Sequence, residues 1–124
     1  MLSDPRILVV ETDQVVLAQI VAALESNGFV VTAVADFEQA VRLLNDHTYH
    51  GLVTAHRLGT HNGLHLVLRA RHHRPETIAV LTCTALDPYL QQEAATFGAV
   101  CSVAPWDDPT ILCSALRAAG VEPA

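Results

Sequence analysis

Two carboxylates stand directly after the first apolar run of the chain and could hold a metal ion. Glu11 and Asp13, separated by Thr12, follow residues 7–10. Hard divalent cations such as Mg²⁺ prefer oxygen ligands, so these side chains could form part of a cation site. The alternative, which we favour, is that Asp13 caps the following helix and that Glu11 lies near the same helix N-terminus.

Charged side chains that could assist such chemistry are scarce in the middle of the chain. The sequence contains no lysine, and its one carboxylate between Asp46 and Asp87 is Glu76. The third apolar run, residues 51–55, ends at Ala55. No aspartate or lysine lies next to Ala55 in the sequence to take part in a reaction there.

The elements that position these residues are predicted from hydrophobic patterning. Short apolar or β-branched runs predict strands over 7–10, 29–34, 51–55, 77–82 and 100–103. Helical spacing and start or stop signals predict helices over 13–27, 36–45, 63–72, 88–97 and 109–119. Aspartates at 13, 36, 87 and 108 are predicted N-caps, and glycines at 28, 98 and 120 follow helix ends. Residues 56–62 are predicted to form a polar loop.

The alternation of strands and helices predicts an α/β fold with helices on both faces of a parallel sheet. We expect a doubly wound, flavodoxin-like (βα)5 arrangement with strand order 2-1-3-4-5, in a single domain over residues 1–124 whose core spans about 5–119. Ligand chemistry in such sheets lies at the carboxyl ends of the strands. Residues 11–13, 55–57, 82–84 and 104–105 are expected to meet there.

Composition narrows the classes of function. The net charge of −6 disfavours a nucleic-acid surface, and no apolar run approaches the length of a membrane span. The first residues do not resemble a signal peptide. Cys83, Cys101 and Cys113 lack CxxC spacing and lie in apolar stretches, so we interpret them as reduced, buried core thiols of a cytoplasmic protein.

Four stretches carry a family resemblance: residues 7–13, 49–63, 80–82 and 98–105. Their order and spacing resemble the receiver domain of bacterial two-component response regulators, over about residues 5–119. The resemblance implies a signalling domain that accepts a phosphoryl group on an aspartate after the third strand, with Mg²⁺ held by nearby acids and a lysine after the fifth strand.

Several positions of this chain depart from the family pattern. Glu11 keeps the first acid, Thr12 replaces the second, and Ala55 stands at the acceptor position. Ala104 replaces the lysine. Because alanine has no nucleophilic atom, the resemblance implies a degenerate receiver with no catalytic residue, no bound metal and no cofactor.

Other positions keep the pattern or change it less severely. Thr82 keeps the hydroxyl that senses phosphorylation in the family, although a threonine at a strand end also fits simple strand propensity. Pro105 keeps the proline that follows the lysine, and Cys101 occupies the position of the aromatic switch residue.

Arg57 and the histidines each admit two interpretations. The Arg57 guanidinium could pair with Glu11 or Asp13 in place of the lost metal, or it could be an exposed loop side chain. The seven histidines include pairs at helical spacing, His47 with His50 and His61 with His65. None lies near a cysteine at ligand spacing, so surface histidines are favoured over a metal site.

The resemblance also implies a partner surface formed by the fourth helix, fifth strand and fifth helix. Its candidate residues are Tyr89, Gln92, Cys101 and Trp106. Tyr89 also belongs to an apolar stripe of the fourth helix for which core packing is the default. Trp106 is equally well interpreted as a partner anchor or as filler beside the last helix.

These observations predict an atypical receiver domain that is not an enzyme and that acts by binding a protein partner, without phosphorylation. A homodimer through the same surface is one form of this hypothesis. The alternatives are a small-ligand sensor or enzyme that uses the strand-end cleft, and a receiver phosphorylated on a residue other than aspartate. The first turn, residues 11–14, contains no glycine, which disfavours a nucleotide phosphate site.

Overall fold

The computed structural model describes residues 5–85, 87–103, 113–114 and 116–117. Its main sheet contains five parallel strands in the order β2-β1-β3-β4-β5. The strands are β1 (Arg6–Val10), β2 (Val30–Val34), β3 (Gly51–Ala55), β4 (Ile78–Cys83) and β5 (Ala99–Val103). The predicted fold class and strand order are therefore confirmed.

Helices cover both faces of this sheet. They are α1 (Gln14–Glu25), α2 (Phe37–Asp46), α3 (Leu64–His73) and α4 (Pro88–Thr96). Of the predicted fifth helix, residues 113, 114, 116 and 117 are helical, while its predicted cap Asp108 and stop Gly120 lie outside the described residues. None of the described helices is both long and apolar enough to cross a membrane.

Side-chain caps explain where three of the helices begin. Asp13, Asp36 and Asp87 have extended backbone, and each accepts hydrogen bonds from amides two or three residues further on. Such a cap satisfies amides that have no partner inside the helix and contributes about 1 kcal/mol. Gly28 and Gly98, with φ of 89° and 82°, turn the chain after α1 and α4 as predicted.

The core consists of two apolar clusters, one on each face of the sheet. Alternate strand residues point to opposite faces, so Leu8 and Leu52 pack beneath α2, α3 and α4, whereas Ile7 and Val53 pack beneath α1. The second cluster also contains the buried helical residues 113 and 116. Because helices cover both faces of the sheet, the sequences of its strands are continuous apolar runs rather than alternating ones.

The prediction of three buried thiols is wrong for two of the cysteines. Cys113 is fully buried, but Cys83 and Cys101 are only half-buried. Cys83 is the last residue of β4. Cys101 lies on β5, which is an edge strand of the sheet in the described part of the chain. Fewer neighbouring side chains cover these positions than cover the centre of the sheet.

The predicted polar loop over residues 56–62 contains a small hairpin that the sequence did not indicate. Arg57–Leu58 pairs antiparallel with His61–Asn62. Gly59 has φ of 65°, whereas Thr60 has no positive φ. In a type II′ hairpin turn only the first of the two central residues has a positive φ, and glycine is favoured there. Gly59 and Thr60 match this pattern.

A histidine links the amino ends of β1 and β3. The Arg6 amide donates to His50 Nδ1 at 2.9 Å, and the His50 amide donates to the Arg6 carbonyl at 2.9 Å. The first bond requires an unprotonated Nδ1. Burial lowers the pKa of His50 below its ordinary value of 6.5, and the nearby charges of Arg74 and Arg6 lower the pKa further.

This pKa shift predicts loss of stability in mild acid. Because the folded pKa lies below the unfolded one, the contribution of His50 is complete above about pH 6.5 and is lost as the pH falls toward the folded pKa. The melting temperature of His50→Asn, whose amide oxygen can accept the Arg6 bond, should fall less between about pH 7.5 and about pH 5 than that of the wild type.

His65→Asn is the matched control for this measurement, because His65 is exposed on α3 and the two residue types have similar helix propensity. It should keep the wild-type pH profile. Parallel profiles for His50→Asn and the wild type would show that His50 does not contribute to the acid sensitivity.

Candidate functional site

A cleft of about 460 Å³ opens at the carboxyl edge of the sheet. It brings together most of the predicted site residues and several that were not predicted. Its lining comprises Glu11, Asp13, Val16, Ala55, His56, Arg57, Thr82, Cys83, Thr84, Ala85, Asp87 and Leu90. Ala55, the last residue of β3, is paired in register with the buried Thr82 of β4.

The two carboxylates after β1 bind backbone amides. Asp13 Oδ1 accepts from the amides of Val15 and Val16 at 2.9 and 3.2 Å, and Glu11 Oε2 accepts from the Asp13 amide at 3.1 Å. The predicted capping role of Asp13 is confirmed. Thr12 is exposed beside them and does not line the cleft. Both acids therefore already stabilise the β1–α1 turn.

The third carboxylate of the cleft has the same role at another helix. Asp87 Oδ1 accepts from the amides of Tyr89 and Leu90 at 2.9 and 3.3 Å, at the start of α4. The acidic groups of the cleft thus lie where helix N-termini require acceptors.

Arg57 is the arginine that lines the cleft, and its side chain is exposed. Among the hydrogen bonds and ion pairs of the described residues, none joins Arg57 to Glu11 or Asp13, whose contacts are those with the backbone amides above. Its geometry matches the alternative of an exposed loop arginine.

The loop between β3 and α3 folds back onto the end of β3. The Gly63 amide donates to the His56 carbonyl at 2.7 Å, and Asn62 Oδ1 accepts from the Leu64 amide at 2.9 Å. A Cβ on Gly63 would overlap the Ala55 carbonyl oxygen and would lie 2.9 Å from Thr54 Oγ1. The close approach of the two backbone segments, rather than an unusual φ, requires glycine here.

His61 of this loop stacks on Phe37, the first residue of α2, with ring centroids 4.2 Å apart and planes 7° apart. The stack fixes one side of the hairpin against a neighbouring helix. Within the described part of the chain, no group of three or more His, Cys, Asp and Glu side chains is arranged to hold a metal ion.

Comparison with known proteins identifies the fold and the family. The model of the response regulator receiver domain matches residues 7–115. The chain belongs to the response regulator receiver family. No curated protein matches it.

Solved receivers resemble the chain over nearly its whole length. Chemotaxis response regulator CheY4 of Vibrio cholerae is 19% identical with a TM-score of 0.81, over 93% of this chain and 98% of that one. A signal receiver domain of an HD domain-containing protein from Pseudomonas fluorescens is 26% identical with a TM-score of 0.80, over 96% of this chain and 88% of that one. A CheY-like receiver protein from Methanospirillum hungatei is 17% identical with a TM-score of 0.77, over 94% of this chain and 97% of that one.

The receiver's predicted partner surface is partly exposed. Tyr89 is 86% exposed, so the default expectation that it packs in the core is wrong. It lies in the first turn of α4, on the same helix side as the exposed Gln92 three residues later. Ala94 of the same helix is buried. Cys101 is half-buried.

The remaining predicted site residues lie outside the described residues. They are Ala104 and Pro105 after β5, and Trp106 of the partner surface. Their assigned roles remain predictions from the family pattern.

Cys83 belongs to the stretch 82–84 that was expected at this edge, but it was predicted to be a core thiol, whereas the structure places it in the lining of the cleft. Burial, as the largest cause, acts together with the neighbouring Cys101 thiol and the Asp87 charge to raise the pKa of Cys83 to about 12. The signal available in the sequence was its place directly after Thr82, at the predicted carboxyl end of a strand.

The backbone approach at Gly63 yields a stability prediction. Gly63→Ala should lower the free energy of unfolding by about 3 kcal/mol, measured by urea denaturation, because the added methyl meets main-chain atoms that cannot move aside. The control is Gly51→Ala, whose Cβ would meet the flexible tip of Ile7 at 2.7 Å. It should cost about 1 kcal/mol. Equal losses of unfolding free energy in the two variants would contradict a special need for glycine at position 63.

Proposed function

We propose that this receiver is degenerate and acts by binding a protein partner, without phosphoryl transfer at residue 55. The observation that carries the proposal is Ala55, which lines the strand-end cleft beside Thr82 and offers no nucleophilic atom. Phosphoryl transfer to a protein requires a nucleophilic oxygen, nitrogen or sulfur atom on the accepting side chain, and alanine has none.

The surroundings of Ala55 support the same proposal. Stabilising a transferred phosphoryl group requires cationic groups or metal ions around its oxygens. The sequence has no lysine, and three cleft carboxylates, Glu11, Asp13 and Asp87, accept backbone hydrogen bonds at the β1–α1 turn and the start of α4. Using these carboxylates as metal ligands would compete with the caps that they provide.

The partner surface would be the one formed by α4, β5 and the fifth helix, with Tyr89, Gln92, Cys101 and Trp106 as its candidate residues. The exposed Tyr89 supports this assignment, because a large amphipathic ring suits a protein contact. The proposal treats residues 1–124 as one receiver-like unit that works in the cytoplasm. A homodimer through this surface is the form that can be tested without knowing another partner.

A small-ligand sensor is the second candidate, and the cleft itself favours it. A volume of about 460 Å³ lies within the range of small-molecule sites, which is about 300–1,000 Å³. Part of the lining is apolar, at Val16, Ala55 and Leu90. A ligand that binds one conformation of the receiver more tightly would shift its population without phosphorylation.

If the receiver accepts no phosphoryl group, a mimic of the phosphoryl group should not bind and should not stabilise the fold. The melting temperature should not change when Mg²⁺ and beryllofluoride are added together, because Ala55 provides no carboxylate oxygen to coordinate the mimic. A receiver that carries an aspartate acceptor serves as the positive control. A Mg²⁺-dependent increase in the melting temperature would mean that another carboxylate accepts the mimic, and the proposal of a degenerate receiver would fail.

The partner surface predicts the effect of a surface substitution on self-association. If the homodimer forms, Tyr89→Ser should shift the mass measured by light scattering toward that of the monomer at a fixed concentration. It should change the stability by no more than about 0.5 kcal/mol, since Tyr89 is 86% exposed. Leu68→Ser, at a 47% exposed position on α3, is the matched control and should leave the mass unchanged. An equal effect of both substitutions would contradict the assigned surface, and a monomeric wild type would exclude the homodimer.

A further inference from the structure

The basic side chains of this acidic protein are concentrated in one segment. Residues 47–75 contain four of the seven arginines and all seven histidines, and they contain no aspartate or glutamate. With the histidines neutral this segment carries +4, and the remaining residues therefore carry −10, since the whole chain carries −6. A surface patch of one sign attracts partners of the opposite sign, so this distribution bears on binding.

The structure arranges part of this segment as a stripe along α3. Residues three and four apart on a helix are neighbours on its surface. Four exposed residues of α3 have these spacings, and we call them the α3 stripe: His65, Leu68, Arg69 and His72. The stripe is open to solvent over nearly the whole length of the helix.

The arginine of the α3 stripe contacts an uncharged side chain. Arg69 Nη1 donates to Asn45 Oδ1 of α2 at 3.3 Å, and an amide oxygen leaves the positive charge of the guanidinium uncompensated. The nearest acids of α2 lie elsewhere. Asp46 lines a pocket beside β1 and β2, and Glu38 lies about two helical turns before Asn45, toward the start of α2.

The centre of the α3 stripe is apolar. Leu68 is 47% exposed and lies between the two histidines of the stripe. The core-facing side of α3 is formed by other residues, Leu64, Leu66, Val67 and Ala70, which are buried. Covering Leu68 with a partner would therefore add burial of apolar surface that the fold itself does not provide.

Helix stability explains only one end of the basic pattern. Cationic side chains in the last turn interact favourably with the helix dipole, and α3 has Arg71, His72 and His73 there. Acidic side chains are the favourable ones in the first turn. The first turn of α3 has no acid, and His65 lies in it instead. The absence of acids along the whole helix thus goes beyond what the stability of α3 requires.

We propose that the α3 stripe binds an amphipathic acidic segment of a partner protein. Its carboxylates contact Arg69 and the two histidines, and an apolar side chain of the segment covers Leu68. Charge complementarity favours an anionic partner. The exposed leucine favours a protein segment over a nucleic acid, whose backbone is bound through charge and hydrogen bonds. The stripe lies on α3, away from Tyr89 on α4, so the inference goes beyond the proposed function and holds whatever happens at residue 55.

Fluorescence anisotropy of a labelled synthetic peptide with the whole chain tests the proposal. The probe is a peptide of about four helical turns with leucine at every third or fourth position and glutamate elsewhere. The control probe has glutamine in place of each glutamate and should bind at least about tenfold more weakly. Binding of the acidic probe should weaken as the NaCl concentration rises from about 0.05 M to about 0.3 M, because salt screens exposed charges.

A pair of arginine variants separates the stripe from the net charge. Arg69→Glu should weaken binding of the acidic probe at least about fivefold, because it replaces an attraction with a repulsion. Arg117→Glu is the matched control: Arg117 is exposed, donates to Asn27 Oδ1 at 3.5 Å and follows Leu116, which is buried in the apolar cluster beneath α1. It changes the net charge equally and should alter the affinity less than about twofold.

A second pair of variants tests the apolar centre. Leu68→Ser should weaken binding of the acidic probe, whereas Tyr89→Ser should leave it unchanged. Thermal melts of every variant verify that it is folded, and Arg69→Gln replaces Arg69→Glu where the charge reversal lowers the melting temperature.

Three results would overturn the proposal. The first is a wild type that does not bind the acidic probe at the low salt concentration. The second is an equal loss of affinity in Arg69→Glu and Arg117→Glu, which would mean that net charge alone drives binding. The third is a single-stranded oligonucleotide that binds more tightly than the acidic probe and loses its binding in Arg69→Glu, which would assign the stripe to nucleic acid.

Discussion

A parallel sheet that is covered on both faces leaves its carboxyl edge as the place where polar side chains can gather. All five main strands end at this edge, and the helices that follow three of them begin with a capping aspartate. Asp13 and Asp87 therefore line the cleft because they are caps. The same geometry that makes this edge suitable for chemistry also gives its carboxylates a purely structural task.

The shape of the cleft depends on the contacts of the loop after β3 more than on the side chain of Ala55. The loop after β3 is held by the hydrogen bond between the Gly63 amide and the His56 carbonyl, and by the stack of His61 on Phe37. None of these contacts uses the side chain of Ala55. The scaffold can therefore persist when the residue at its chemical centre changes, which is why fold alone does not establish activity.

Local signals in the sequence were sufficient for the strands and for the caps Asp13, Asp36 and Asp87, because periodicity and aspartate caps act within a few residues. The strand order instead followed from the alternation of strands with helices, for which this order is a common arrangement. Local signals failed where the outcome depends on a particular turn conformation or on residues distant in the chain. The hairpin around Gly59 follows from a turn geometry that alternation does not reveal. The diagonal placement of Cys83 and Cys101 on neighbouring strands arises from strand register. The exposure of Tyr89 follows from which side of α4 faces the sheet, since Ala94 takes the buried side.

A receiver changes state only by the difference in free energy with which something binds its two conformations. In the proposed degenerate receiver, no phosphoryl group supplies that difference, so it must come from a partner or from a ligand of the cleft. Moving a two-state population from about 1% to about 99% requires a binding preference of about 10⁴-fold. An exposed tyrosine and a few neighbours rarely supply so large a preference alone, which favours a receiver whose conformation is already set and whose surface is simply recognised.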